Sequence, residues 1–199
     1  HGNFSILHYN LSKHCITYTL SSLLNPISMP TLERVVYANK HLLDRIHIEG
    51  DIQKIRELSS LGTIIMLPMH FSNLDSAIIS WVIHNIGLPA FVYGAGINLF
   101  SKRFWNYTLS RVGTYKVDRG KKNPLYLIAL EQYSSIAIRW GCHSLFYPHG
   151  TRSRSGGVDP NLKKGLLSAV LGAQEQIYLK EGERGRKLFL VPVSFSYPS

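Results

Sequence analysis

Two residues suited to acid–base chemistry, His70 and Asp75, lie five positions apart between a predicted strand and a predicted helix. The strand is the apolar, β-branched run 62–67, and the helix is the apolar stretch 77–86. If both residues were helical, five steps would turn through about 500° and point the side chains about 140° apart. They can meet only if His70 lies in the turn and Asp75 lies in the first turn of the helix. The pair would then lie at the C-terminal end of a strand, where open α/β sheets bind ligands.

The same residues also have a purely structural interpretation. Ser72 followed three residues later by Asp75 is a capping-box-like helix start, and the helix dipole favours a carboxylate in the first turn. Under that interpretation His70 is merely a polar loop residue. The local pattern leaves both interpretations open, and the choice depends on the rest of the chain.

Three further stretches place notable residues where predicted strands end: 113–119, 147–154 and 190–194. The planar fork of arginine suits phosphate oxygens, and glycine lets backbone N–H groups approach them. The arginines in these stretches include Arg119, Arg152 and Arg154. The alternative for these arginines is a solvated basic loop or strand end. The third stretch carries a proline, which fits an edge strand or the end of a strand.

In this order, the four stretches resemble the four sequence blocks of the glycerolipid acyltransferases, which include glycerol-3-phosphate and 1-acylglycerol-3-phosphate acyltransferases. The first block is a His, four residues and an Asp, matched by His70 and Asp75. The second is a glycine-led segment ending in arginine. The third is usually Phe-Pro-Glu-Gly-Thr-Arg-Ser, and the fourth is a Val-Pro-Val-like strand. These three are matched by 113–119, 147–153 and 191–193, and 95–99 looks more like the glycerol-3-phosphate branch.

The resemblance implies an enzyme that moves a fatty acyl group from acyl-CoA or acyl-carrier protein to the hydroxyl of glycerol-3-phosphate or a lysophospholipid. His70 would be the general base, and Asp75 would orient its ring, as the acid does in a Ser-His-Asp triad. Arg119, Gly150, Thr151 and Arg152 would bind the acceptor phosphate. No cofactor and no metal are expected, since the acyl thioester is a co-substrate. One departure is His149, which removes the carboxylate of the family's usual Glu.

Composition predicts an acidic partner. The formal net charge of the 199 residues is +10, with charged residues at 17% and hydrophobic ones at 45%. No run reaches the roughly 18 apolar residues that indicate a membrane span. We therefore expect a peripheral protein on the cytoplasmic side of an anionic membrane surface. The alternative is a basic, non-catalytic module that binds anionic lipid or nucleic acid. No RNA-recognition motif can be placed, so we expect no nucleic-acid partner.

Strands that alternate with helices must position these residues. The pattern predicts an α/β fold with a mixed, partly parallel sheet flanked by helices and with an N-terminal helical segment. We assign 1–46 to that helical segment and 47–199 to an acyltransferase α/β domain, C-terminally truncated. The predicted elements include a short strand and turn at 47–50. The apolar region 78–92 is a candidate groove for the acyl chain, with plain core as the alternative.

Overall fold

A computed structural model describes residues 3–24, 31–72, 74–148 and 164–197 of the chain. Within these ranges, strands and helices alternate from residue 52 onward. The helices are α1 (Ile6–Leu24), α2 (Thr31–Leu43), α3 (Ile52–Leu61), α4 (Leu74–Asn85), α5 (Arg103–Leu109), α6 (Pro124–Arg139) and α7 (Lys164–Glu181). The strands are β1 (Gly62–Pro68), β2 (Val92–Gly96), β3 (Thr114–Val117), β4 (Ser144–Leu145) and β5 (Lys187–Val193).

The five strands form one sheet in the order β3-β2-β4-β1-β5, and each of the four pairings is parallel. The predicted α/β class with helices on the sheet and an N-terminal helical segment is confirmed, but the described strands pair only in parallel rather than in a mixed sheet. Because all five strands run the same way, their carboxyl ends lie along one edge of the sheet. β5 is an edge strand and carries Pro192, the position that a residue without a backbone N–H tolerates.

The central strand β1 is buried on both faces, as expected for a parallel sheet covered by helices. Side chains alternate across the sheet, so Ile64 and Met66 pack with Ile79 of α4. The intervening Ile65 packs on the opposite face with Ile138 of α6. This double burial fixes the direction and register of β1, and it therefore fixes where the residues after its carboxyl end begin.

The two N-terminal helices pack onto α4. Leu20 of α1 and Leu42 of α2 share a fully buried cluster with Ile78 and Trp81 of α4. Much of the stretch 78–92 is thereby buried in hydrophobic cores, which favours the plain-core alternative over an acyl groove. The side of α4 that faces the sheet and the side that faces these helices are therefore both packed.

One predicted strand is absent. Residues 47–50 form an irregular link between α2 and α3. Gly50 has a φ of 122°, outside the range of a pleated strand, and Ile48 packs against the core from this link. The turn that we predicted there is therefore correct in place, but the strand prediction was wrong. The next helix, α3, is capped by Asp51, whose side chain accepts the Lys54 backbone N–H at 2.8 Å.

Candidate active site

The structure places His70 in the turn after β1 and Asp75 in the first turn of α4, the arrangement that their spacing requires. His70 Nδ1 lies 3.0 Å from Asp75 Oδ2. An ionised carboxylate only accepts hydrogen bonds, so Nδ1 carries the ring proton and Nε2 keeps its lone pair. Within the described residues Nε2 has no hydrogen-bond partner. In the neutral form of the ring, the pair therefore presents Nε2 as an acceptor at the carboxyl edge of the sheet.

Asp75 is completely buried and is surrounded by donors. Oδ2 also accepts the backbone N–H groups of Phe71 and Ser72, at 2.6 and 2.7 Å. Oδ1 accepts the Ser72 hydroxyl at 3.0 Å and the Tyr197 hydroxyl at 2.5 Å. Burial works to raise the pKa of Asp75, but hydrogen bonds from Tyr197, Ser72, Phe71 and His70 outweigh it and hold the pKa below its usual 3.8. Asp75 is thus an anion at neutral pH.

The capping interpretation of Ser72 and Asp75 also describes what is seen. The Ser72 backbone N–H donates to Asp75, and the Ser72 hydroxyl accepts the Leu74 backbone N–H at 3.1 Å. These contacts have the reciprocal form of a capping box. The cap does not compete with the His70 contact, because one carboxylate oxygen accepts from both. The hydrogen bonds of the helix start therefore also position the Asp75 carboxylate for its contact with His70.

Tyr147 stacks on a face of the His70 ring, whereas Asp75 contacts the ring edge at Nδ1. The ring centroids of His70 and Tyr147 are 4.1 Å apart, with 27° between the planes. The Tyr147 hydroxyl lies 2.9 Å from the Ser76 hydroxyl. Burial, reinforced by the Asp75 charge and partly offset by the Ser76 contact, raises the pKa of Tyr147 to about 12. Tyr147 is therefore a neutral ring that limits the orientations open to the imidazole.

Arg119 follows β3 and is exposed at the same edge of the sheet. Two strands, β2 and β4, separate β3 from β1, which places their carboxyl ends roughly 14 Å apart at about 4.8 Å per strand. Gly113 begins this segment with a φ of 88°, and a Cβ there would lie 2.8 Å from the Phe91 carbonyl oxygen. Only glycine fits at that position, which gives the leading glycine of the segment a structural reason.

The other predicted phosphate ligands lie outside the described residues. These are Gly150, Thr151 and Arg152, and the departure from the family pattern at His149 also lies outside those residues. Their roles in binding phosphate stay predictions, and so does a common phosphate site that they would share with Arg119.

Within the described ranges, no cluster of three or more His, Cys, Asp or Glu side chains could hold a metal ion. None of the helices in those ranges combines the length and apolarity that crossing a bilayer requires.

Two tyrosines of this site were not found by the sequence reasoning. Tyr147 was considered only as the start of a motif, and Tyr197 was not considered at all. A usable signal for Tyr197 was its spacing, because Phe195 and Tyr197 alternate with serines just after a predicted strand. Residues two apart in an extended segment point to the same side, so Tyr197 is expected on the same side of the segment as Phe195.

Three comparisons with known proteins bear on this site. The family model described as Acyltransferase matches residues 45–196. The glycerol-3-phosphate acyltransferase of Alteromonas mediterranea is 32% identical over 152 residues, which are 74% of this chain and 17% of that protein. The human dihydroxyacetone phosphate acyltransferase is 30% identical over 152 residues, which are 75% of this chain and 21% of that protein.

A solved structure is also similar, the 1-acyl-sn-glycerophosphate acyltransferase PlsC of Thermotoga maritima. It is 16% identical, with a TM-score of 0.44 over 96% of this chain and 85% of that one. The matched part of this chain corresponds to only about a fifth of the length of the two curated relatives. The match to the family model includes His70, Asp75, Tyr147 and the described part of the sheet.

Proposed function

This chain belongs to the Acyltransferase family, and from that premise we propose that it transfers a fatty acyl group to a phosphorylated glycerol acceptor. The donor is acyl-CoA or acyl-carrier protein, and the acceptor is glycerol-3-phosphate or a lysophospholipid. The thioester is a co-substrate, and the proposal requires no resident cofactor. Support for the acceptor class comes from relatives named as glycerol-3-phosphate and dihydroxyacetone phosphate acyltransferases.

One observation carries the proposal: a partly exposed histidine has one ring nitrogen on a buried carboxylate and the other unpaired among the described residues. The His70 side chain is 12% exposed, whereas the Asp75 side chain is 0% exposed. An imidazole changes charge between about pH 5 and 8, so a neutral ring of this kind is suited to proton abstraction at physiological pH. Among the described residues, Asp75 has no ion-pair partner other than His70.

In the proposed reaction, His70 and Asp75 carry out the proton transfer, and the two substrates supply the hydroxyl and the thioester. His70 Nε2 removes the proton of the acceptor hydroxyl as its oxygen attacks the thioester carbonyl carbon. Asp75 stabilises the resulting imidazolium through Nδ1, as the acid does in a Ser-His-Asp triad. The carbon–sulfur bond then breaks, the new ester is released, and the thiolate takes the proton back from Nε2. No nucleophile from the enzyme is required, because the acceptor provides the hydroxyl.

The acceptor phosphate would bind along the same edge. We assign Arg119 to it, with Gly150, Thr151 and Arg152 from the loop after β4. β4 lies between β2 and β1, so the described residues just after it, 146–148, leave the sheet between the ends of β3 and β1. Fixing the phosphate there would hold the reacting hydroxyl near Nε2, and such positioning can lower the barrier by several kcal/mol.

We further propose that the chain works at an anionic membrane surface, as a peripheral protein on its cytoplasmic side. Between Asp75 and Asp118 the sequence contains four Lys or Arg residues and no acid. The segment from 97 to 109 exposes several large apolar side chains beside Lys102 and Arg103, namely Ile97, Leu99, Phe104 and Trp105. Apolar and cationic groups on one segment suit a surface of anionic lipid. Vesicles containing phosphatidylglycerol should therefore retain the chain better than phosphatidylcholine vesicles.

The direct test is acyl transfer from palmitoyl-CoA, and in parallel from palmitoyl-acyl-carrier protein, to glycerol-3-phosphate and to 1-acylglycerol-3-phosphate. The variant is His70→Ala. The matched control is His84→Ala, which removes an exposed histidine near the far end of α4.

We expect His70→Ala to lower the rate by at least about a hundredfold, the usual share of a general base, and His84→Ala to leave it within about threefold. Equal rates in His70→Ala and the unchanged chain would overturn the mechanism. A strongly salt-dependent affinity for RNA without any acyl transfer would instead support the non-catalytic alternative.

A further inference from the structure

Tyr197 lies far from Asp75 in the sequence but contacts its carboxylate in the structure. Its hydroxyl donates to Asp75 Oδ1 at 2.5 Å across 122 positions of sequence separation. Burial and the Asp75 carboxylate raise the pKa of Tyr197 to about 12, against a smaller opposing effect of Ser72. Tyr197 is therefore protonated at any pH at which the site would work, and it acts as a permanent donor. The tyrosine as a whole is 44% exposed, so its contact with the carboxylate does not come from core packing.

The segment that carries Tyr197 is attached at two earlier points. The Met69 backbone N–H donates to the carbonyl of Val193, the last residue of β5, at 2.9 Å. Phe195 then packs against the hydrophobic clusters on both sides of α4. The chain from 193 to 197 thus follows the loop from 69 to 75, and its anchors bring the Tyr197 ring over the start of α4.

We propose that Tyr197 is a positioning residue for the proposed general base: its hydroxyl fixes the Asp75 carboxylate so that Oδ2 faces the His70 ring. The torsion that orients a carboxylate is soft, with a broad rotamer distribution. Oδ1 has two partners in the described residues, Tyr197 and the Ser72 hydroxyl. Removing the tyrosine hydroxyl leaves one neutral hydroxyl to hold that oxygen, and the freed face of the carboxylate becomes open to water.

The same contact sets how strongly Asp75 attracts the imidazole proton. Hydrogen bonds spread the carboxylate charge over their donors. Without Tyr197, more negative charge remains on Asp75, so the His70 ring holds a proton more tightly. The titratable side chains facing Asp75 in the described structure are His70, Tyr147 and Tyr197. Because both tyrosines stay neutral, a change near neutral pH reports the imidazole.

The catalytic consequence rests on the proposed function, whereas the geometric claim does not. The test compares Tyr197→Phe, which removes only the hydroxyl, with Tyr178→Phe on the exposed side of α7. Transfer from palmitoyl-CoA to glycerol-3-phosphate is measured from pH 6 to 9, with the melting temperature of each variant. We expect kcat to fall about tenfold in Tyr197→Phe, the effect of one charge-assisted hydrogen bond, with KM for glycerol-3-phosphate within about twofold.

The acid limb of the pH–rate profile should also move to higher pH, by roughly half a unit, in Tyr197→Phe only. A purely structural role would lower the melting temperature and the active fraction but leave that limb in place. An unchanged kcat, or a loss of kcat fully explained by unfolded protein, would overturn the proposal.

A second measurement needs no turnover. Nitrogen-15 NMR of the histidine rings, assigned with His70→Gln, reads the Nδ1 proton of His70 directly. We expect that proton to exchange with water at least about tenfold faster in Tyr197→Phe than in the unchanged chain or in Tyr178→Phe. If exchange is unchanged, the positioning role is wrong, whatever the enzyme assay shows. If exchange rises while no variant transfers acyl groups, the positioning stands and the proposed function fails.

Discussion

His70 and His143 lie at opposite ends of the same sheet, and the structure uses their rings in opposite ways. His70 follows the carboxyl end of β1 and turns Nδ1 toward the Asp75 carboxylate. His143 precedes the amino end of β4, and its Nδ1 accepts the backbone N–H of Ile64 at 2.9 Å. The first ring donates from Nδ1, so that in its neutral form the lone pair is on Nε2. The second has its lone pair committed to the backbone.

The surroundings reinforce this difference. His143 is 7% exposed and stacks on Phe91, with the ring centroids 5.3 Å apart. Burial, with the added effect of the Arg186 charge, lowers the pKa of His143 below its usual 6.5. Under the proposed function, the Nδ1 contact separates the two roles: a carboxylate partner leaves Nε2 of His70 available as a base, whereas a backbone N–H partner makes His143 a core residue.

The largest expected effect is that of Asp75→Asn. The amide cannot serve as acceptor for all the donors that now converge on it, and it no longer stabilises an imidazolium. We expect kcat to fall about a thousandfold or more, by analogy with the acid of a Ser-His-Asp triad, and the protein to lose about 2 kcal/mol of stability. Steady-state acyl transfer and thermal unfolding measure the two losses. Asp44→Asn, at an exposed position after α2, is the control and should change neither quantity.

His143→Ala should lower the stability of the protein but leave its kcat almost unchanged. It leaves the buried Ile64 N–H without its acceptor and opens a cavity beside Phe91. We expect a loss of about 2 to 4 kcal/mol in the free energy of unfolding. The kcat of the remaining folded protein should stay within about threefold. Denaturant unfolding and active-fraction titration measure these quantities, and a large kcat loss in fully folded protein would contradict the structural role.

The pH dependence of stability sharpens the same contrast. Because the pKa of His143 is lowered in the folded state, the unfolded chain binds that proton more readily. This stabilising contribution is complete above about pH 6.5 and is lost as the pH falls from there toward the folded-state pKa. His143→Gln, whose amide oxygen can accept the Ile64 N–H, should therefore lose less stability than the unchanged chain between pH 7 and pH 5.

Two other groups need controls in that experiment. The pKa of His84 is also lowered, by burial and by Lys13 and His14, so His84→Gln measures its share. The pKa of Asp75 lies below 3.8, so its contribution is lost only at still lower pH. If His143→Gln and the unchanged chain have parallel stability curves over pH 5 to 7, the buried neutral state of His143 is wrong.

The smallest expected effect is that of Tyr147→Phe. The ring that stacks on His70 remains, and only the hydroxyl contact with Ser76 is lost. We expect kcat to change by less than about threefold, because a neutral hydrogen bond at an exposed serine contributes little net energy. Tyr147→Ala, which removes the stacked ring, should cost more. If Tyr147→Phe loses as much activity as Tyr147→Ala, the hydroxyl and not the ring is the functional part.

Local patterns in the sequence predicted the geometry of one part of this site, although they left its role open. His70 and Asp75 are joined within a single strand–turn–helix unit, so their spacing and the Ser72 cap predicted their geometry. Pro192 likewise predicted an edge strand, because the reason lies in its own missing N–H. The helix starts at Asp51 and Asn123 depend on equally local chemistry, because each side chain accepts a backbone N–H two or three residues ahead.

The remainder depends on strand order, which no local pattern contains. Tyr147 reaches His70 because β4 lies beside β1, although α4, β2, α5, β3 and α6 intervene in the sequence. Tyr197 reaches Asp75 because β5 pairs with β1 along its whole length. No local pattern indicates the contact of His143, because its acceptor role depends on the backbone of the neighbouring strand β1. Contacts between neighbouring strands were therefore the part of the site that sequence reasoning could not supply.

The most direct measurement is kcat per folded molecule for His70→Gln and His143→Gln, determined side by side with palmitoyl-CoA and glycerol-3-phosphate. Glutamine keeps a polar side chain at each position but cannot serve as a base near neutral pH. We predict a loss of at least about a hundredfold for His70→Gln and of less than about threefold for His143→Gln. Similar losses in the two variants, or full activity in His70→Gln, would contradict the assignment of the base to the carboxyl end of the sheet.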